Sequence, residues 1–71
     1  MLHLIFTNRA LKDSETQFSM GDHVVLMTGV NRPLTFPDGV NLHVLGEGEG
    51  RLSAPALLEL IKSARPVLSH Y

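Results

Sequence analysis

The 71-residue chain contains no cysteine. That absence removes disulfides, thiolate metal ligands and thiol catalysis together. Positive charge is also scarce. Six Lys and Arg stand against seven Asp and Glu, a net charge of −1 with His neutral. With no basic block there is no expected phosphate-tracking surface, so direct nucleic-acid contact is not expected. No apolar run approaches a membrane span. The opening "MLHLIF" lacks the positive flank and extended apolar core of a secretory signal. A cytoplasmic protein without membrane contact is expected.

The length fits one domain, residues 1–71. A domain this short buries only roughly 60% of the surface its unfolded chain exposes. One such core seldom supplies more than about 3–5 kcal/mol, so small folds are often supported by a disulfide, a metal or a partner. Without cysteine, a partner chain is the most economical support.

What is present points to an α/β fold. Leu2–Thr7 reads as a first strand. A polar stretch, Asn8 to Met20, follows. In it Leu11 and Phe18, with Ala10 and Met20 as further candidates, share the face of a short, weakly patterned helix, and Ser14-x-x-Gln17 has the form of a capping box. Gly21-Asp22 stops it. The apolar run Val24–Met27, closed by Gly29, reads as a strand buried on both faces. Pro33 and Pro37 argue against a helix in the next stretch. Pro37-Asp38-Gly39 is a turn, and Val40–Leu45 a third strand.

The last helix has the clearest signature. Ser53 is an N-cap and Pro55 fits the first turn. Ala54, Leu57, Leu58, Ile61 and Ala64 make an amphipathic face expected to pack on the sheet, and Arg65-Pro66 ends the helix near Ala64. "PVLSHY" has the makings of a short final strand. The expected architecture is a small, mostly parallel sheet of three to four strands with two helices. Strand 1 is central and flanked by strands 2 and 3. The crossover between strands 2 and 3 carries no helix, so Leu34 and Phe36 are left to cover one sheet face. Those two residues are the first candidate interface, with His70 and Tyr71 the second.

Few residues offer chemistry. His3, His23 and His43 are spaced twenty apart, each in an expected strand. Adjacent parallel strands bring such residues together as a metal site requires. They sit at different depths along their strands with no accompanying carboxylate, so packed or edge histidines are the better account and no metal is expected. "GEGEG", Gly46–Gly50, follows strand 3 at the carboxyl end of the sheet, where ligands of α/β folds gather. Its two Glu repel phosphate and no Lys-Ser/Thr follows, so a flexible connector is expected. None of Ser14, Ser19, Ser53, Ser63 and Ser69 sits in a nucleophile elbow. The residues favour an interaction subunit over an enzyme, with no cofactor.

Four pieces of the chain, "MLHLIF", "GDHVVLMTGV", "LHVLGE" and "LLELIKSARPVLSHY", resemble the DsrH/TusB family of sulfur-relay subunits. The carrying features are Met1-Leu2-His3, Gly21-Asp22, Gly29-Val30 and the helix and basic-Pro step leading to Tyr71. The resemblance implies a DsrE-like fold. It also implies a hetero-oligomer with DsrE-like and DsrF-like sister subunits (TusC/TusD-type), one of which carries persulfide sulfur on a Cys. The sulfur goes toward 2-thiouridine at tRNA wobble positions in one branch and belongs to sulfur oxidation in the other. The implied role is the non-catalytic, structural subunit. This chain departs from the family in being shorter. It lacks the helix between strands 2 and 3 and a segment near Gly46–Gly50, and it has no Cys. A homo-oligomer is expected of the isolated chain. The alternative reading is a stand-alone homo-oligomeric protein on the same fold, binding a small ligand near Gly46–Gly50.

Overall fold

A computed structural model describes residues 1–71. Four strands, β1 (Leu2–Ile5), β2 (His23–Leu26), β3 (Asn41–Val44) and β4 (Val67–His70), form one parallel sheet in the order β3-β2-β1-β4. Helix α1 (Asn8–Ser14) joins β1 to β2, and α2 (Ala54–Ser63) joins β3 to β4. The fold is α/β with strand 1 central, as its sequence pattern predicts. Its neighbours are β2 and β4, not β2 and β3: β3 adds to the outer side of β2, and the return through α2 carries the chain back across the sheet.

That return fixes the layering. The β1-to-β2 and β3-to-β4 crossovers run in opposite directions across the sheet. With right-handed connections their helices fall on opposite faces. In-register residues of parallel strands share a face. His3, Ile5, Val24, Leu26, Leu42, Val44, Leu68 and His70 therefore face α1, and Leu2, Leu4, His23, Val25, His43 and Val67 face the other way. The α1 side holds the main core. Ile5, Ala10, Leu11, Val24, Leu26 and Val30 are buried together, with Phe18, Phe36, Val40, Leu42 and Val44 packed around them. On the α2 side Leu2 and Val25 are fully buried. Val24, Val25 and Leu26 are all sealed from solvent, so β2 is buried on both faces as its run of apolar residues predicts.

Local details depart from expectation in three places. First, Thr7 caps α1, its hydroxyl accepting from the Ala10 N–H at 3.0 Å. Ser14 caps nothing. It ends α1 and donates back to the Ala10 carbonyl at 2.7 Å, ahead of a 3₁₀ turn at Glu15–Gln17. Met20, placed on the helical face by the sequence pattern, is exposed beyond it. Second, Ser53 does cap α2, accepting from Ala56. But Leu58 is 60% exposed, and the inward arc is Ala56, Leu57, Leu60, Ile61 and Ala64, each half-buried. Third, the helix-free segment after β2 splits its two apolar residues. Phe36 folds back to 5.6 Å from Phe18, while Leu34 is fully exposed. Gly39, at φ +81°, closes the turn where a side chain would strike Met20. No helix is long and apolar enough to cross a membrane.

Candidate functional site: a histidine chain ending on a carboxylate

The parallel register places Asp22, one residue before β2, near the start of β1 and on the face of His3. Three donors converge on its carboxylate. The Ser19 backbone N–H donates to Oδ2 at 3.0 Å, His3 Nε2 lies 3.1 Å from the same oxygen, and the Met1 ammonium donates to Oδ1 at 3.3 Å. The Ser19 bond foremost, then His3 and the ammonium, hold the carboxyl below its ordinary range, although burial opposes them. Asp22 is therefore an ionised acceptor at neutral pH.

An ionised carboxylate fixes the protons beyond it. It accepts only, so His3 carries its proton on Nε2 and donates to Asp22. Nδ1 of His3 is then a lone-pair acceptor. His70 Nε2 lies 2.9 Å from it and is the donor. That leaves Nδ1 of His70 unprotonated when the ring is neutral. His3 is 1% exposed and both its nitrogens are engaged. Nδ1 of His70 has no protein partner, yet no buried polar side-chain atom is left unpaired, so this nitrogen reaches solvent. Phe18 stands edge-on to His3 with ring centroids 4.8 Å apart and walls one side of the chain.

A second pair lies on the opposite face. His23 Nδ1 and His43 Nε2 are 3.1 Å apart with near-parallel rings. Burial, then the neighbouring His23, lower the tendency of His43 to charge. All three histidines spaced along the sequence do occupy strands. They do not converge, because His3 faces away from His23 and His43. Asp22 is the carboxylate that spacing alone overlooks: its place beside a turn accounts for it locally, and only the parallel register brings it to His3.

Of the candidate interface residues, Leu34 and Tyr71 are exposed, whereas Phe36 packs on the core and His70 is drawn into the chain to Asp22. Tyr71 stacks on Phe6 at 4.7 Å. Gly46–Gly50 forms a turn closed by a bridge between Leu45 and Leu52. Beside it, at the carboxyl ends of β2 and β3, an open cleft of ≈ 410 Å³ is lined by Asn31, Arg32, Glu49 and Arg51 among others.

These features define a parallel α/β domain with helices on both faces and a buried Asp–His–His chain opening at one sheet edge. Compared with family models, curated proteins and solved structures, the chain gives no significant match.

Proposed function

We propose that the protein is a non-catalytic structural subunit of a cytoplasmic sulfur-relay complex. It works beside DsrE-like and DsrF-like sister subunits, one of which holds the sulfur on a Cys. The complex serves 2-thiouridine formation in tRNA or sulfur oxidation. The resemblance of the sequence to the DsrH/TusB family motivates the reading, and the uncovered sheet edge at β4 supports it. The Pro66 and His70 carbonyls accept from the N–H groups of Leu2 and Phe6. By the alternation of a parallel ladder, Val67 and Ser69 therefore direct their backbone groups outward. Val67 and Leu68, one on each face, are 37% and 42% exposed, and Tyr71 is 82% exposed. No charge interrupts Pro66–Tyr71, so the edge lacks a common defence against strand addition. A docked subunit covers such an edge. In isolation the same edge favours self-association.

Two experiments test this reading. Affinity capture from the host, read by mass spectrometry, is expected to recover a Cys-bearing DsrE-like protein in fixed proportion. Recovery of the chain alone overturns the assignment. Exposure to a persulfide donor is expected to leave the mass of the isolated chain unchanged. Stable, stoichiometric sulfane sulfur on it contradicts the structural role.

The second reading is a homo-oligomeric small-ligand protein. The cleft beside Gly46–Gly50 favours it, with Arg32 and Arg51 set against Glu49. It predicts a stable oligomer in light scattering across a dilution series, with no foreign subunit captured.

A further inference from the structure

We infer that Nδ1 of His70 is a proton-accepting site, kept bare by the hydrogen-bond chain through His3 to Asp22, and that it takes the proton of a partner's thiol. The thiol assignment rests on the sulfur-relay reading above and amends its purely structural role to one that lends a base, while the base itself rests on geometry.

Three observations carry the base. The carboxylate of Asp22 sets the direction of both hydrogen bonds, so the only lone pair left at the outer end is Nδ1 of His70. The inner members are buried, so the chain has one open end. That end lies at the carboxyl terminus of β4, beside the uncovered edge.

Burial, together with His3, holds His70 below the ordinary histidine value, so it is neutral and able to accept at neutral pH. Other charges nearby do not compete. Arg9, Lys12 and Asp13 of α1 and Glu15 after it are exposed, and Arg9 is engaged with Asp13 at 3.7 Å.

The proposed step is a balanced proton transfer. The S–H bond of the partner's cysteine breaks and its electron pair stays on sulfur as thiolate. The proton forms an N–H bond at Nδ1 of His70. The Nε2–H of the ring stays donated to His3, itself anchored on the Asp22 carboxylate, so the new proton has only Nδ1 to occupy. A thiol near pKa 8.5 is a suitable donor for an imidazole base. The chain thus lends a base to a sulfur atom it does not carry.

Long-range ¹H–¹⁵N spectra of the isolated, labelled protein at neutral pH decide the base. Nδ1 of both His3 and His70 is expected to be unprotonated and Nε2 of both protonated. A proton on Nδ1 of His70 overturns the assignment. Diethyl pyrocarbonate is expected to modify His70 at Nδ1 about tenfold faster than sealed His3, general-base availability following the free lone pair. Equal rates overturn it. His70→Gln keeps an amide donor for His3 but offers no base, which separates this role from folding.

In the captured complex, iodoacetamide alkylation of the partner's cysteine below neutral pH is expected to slow about tenfold with His70→Gln, as one unit of thiol pKa gives. An unchanged pH profile in a folded complex overturns the thiol role and leaves the relay reading standing. If no Cys-bearing subunit is captured, the relay reading and the thiol assignment fall together, and the spectra still decide the base.

Discussion

Two histidine pairs of nearly equal separation sit on opposite faces of one sheet, 2.9 Å for His3 and His70 and 3.1 Å for His23 and His43. Their rings stack alike, at interplanar angles of 22° and 16°. The difference lies behind them. His3 is sealed and backed by Asp22, so the protons of its pair have one arrangement. No carboxylate backs His23 or His43, and each has a nitrogen open to water. A half-buried pair in which each ring keeps a nitrogen open to water exchanges one partner for water at little cost. The bond of sealed His3 to Asp22 cannot be exchanged in that way, because an unpaired polar group in the interior costs about 1–3 kcal/mol. Geometry between two rings is thus a poor guide to what they do, and the third group decides.

The comparison is broken most severely at Asp22. Asp22→Ala strands the His3 Nε2–H and the Ser19 N–H, and is expected to cost about 2 kcal/mol in urea unfolding. A loss no larger than that of a surface substitution would mean the two pairs are equivalent. His70→Ala removes only the outer link. Water reaches that end, so a smaller loss of about 1 kcal/mol is expected from the same measurement, with the Asp22–His3 bond intact in the spectra.

Acid sharpens the contrast next. His70 and His43 are both held below the ordinary histidine value of 6.5, by burial first and then by the neighbouring ring. The unfolded chain therefore binds protons that the folded chain refuses. Stability from these groups is complete above pH 6.5 and is lost as the pH falls below it toward the folded values. Asp22 behaves as a depressed carboxyl: its contribution holds above 3.8 and is lost as the pH falls through its lower folded value. The urea midpoint is expected to be flat above neutrality and to decline in two stages. His70→Gln and His43→Asn each remove part of the first. A midpoint that rises on acidification from neutrality contradicts the account.

The smallest effect belongs to the half-buried pair on the α2 side. His23→Ala is expected to cost less than about 1 kcal/mol, because water can take its place beside half-buried His43. Matching the cost of Asp22→Ala in the same assay would erase the distinction between the faces.

Much of the architecture was legible from local pattern. The run Val24–Leu26, too apolar for a half-buried strand, declares a sheet covered on both sides. Ser53 and Pro55 mark the start of α2, and Pro66 its end. What local pattern does not hold is order across the sheet, so no single segment encodes β4 beside β1. The face of α2 was ambiguous for a related reason. Leu57, Leu58, Leu60 and Ile61 are all apolar, so a helical wheel allows two adjacent arcs, and only packing excludes Leu58. Asp22 carries no local signal of its role, because a turn explains an aspartate by itself. Its role comes from a partner nineteen residues earlier and a register no single segment encodes.

The bond between His3 and His70 spans 67 positions of sequence. During synthesis β1 must wait for β4, made some 67 residues later, before its inner imidazole is fully satisfied. Until then His3 has a carboxylate on one side and water on the other, and β1 has a single neighbour. Contacts of such long separation close slowly, since loop entropy must be overcome before they return any stability. The nascent chain therefore passes through an interval in which the centre of its future sheet is an open edge. In that interval α1 and the residues around Phe18 are the local cover available to it.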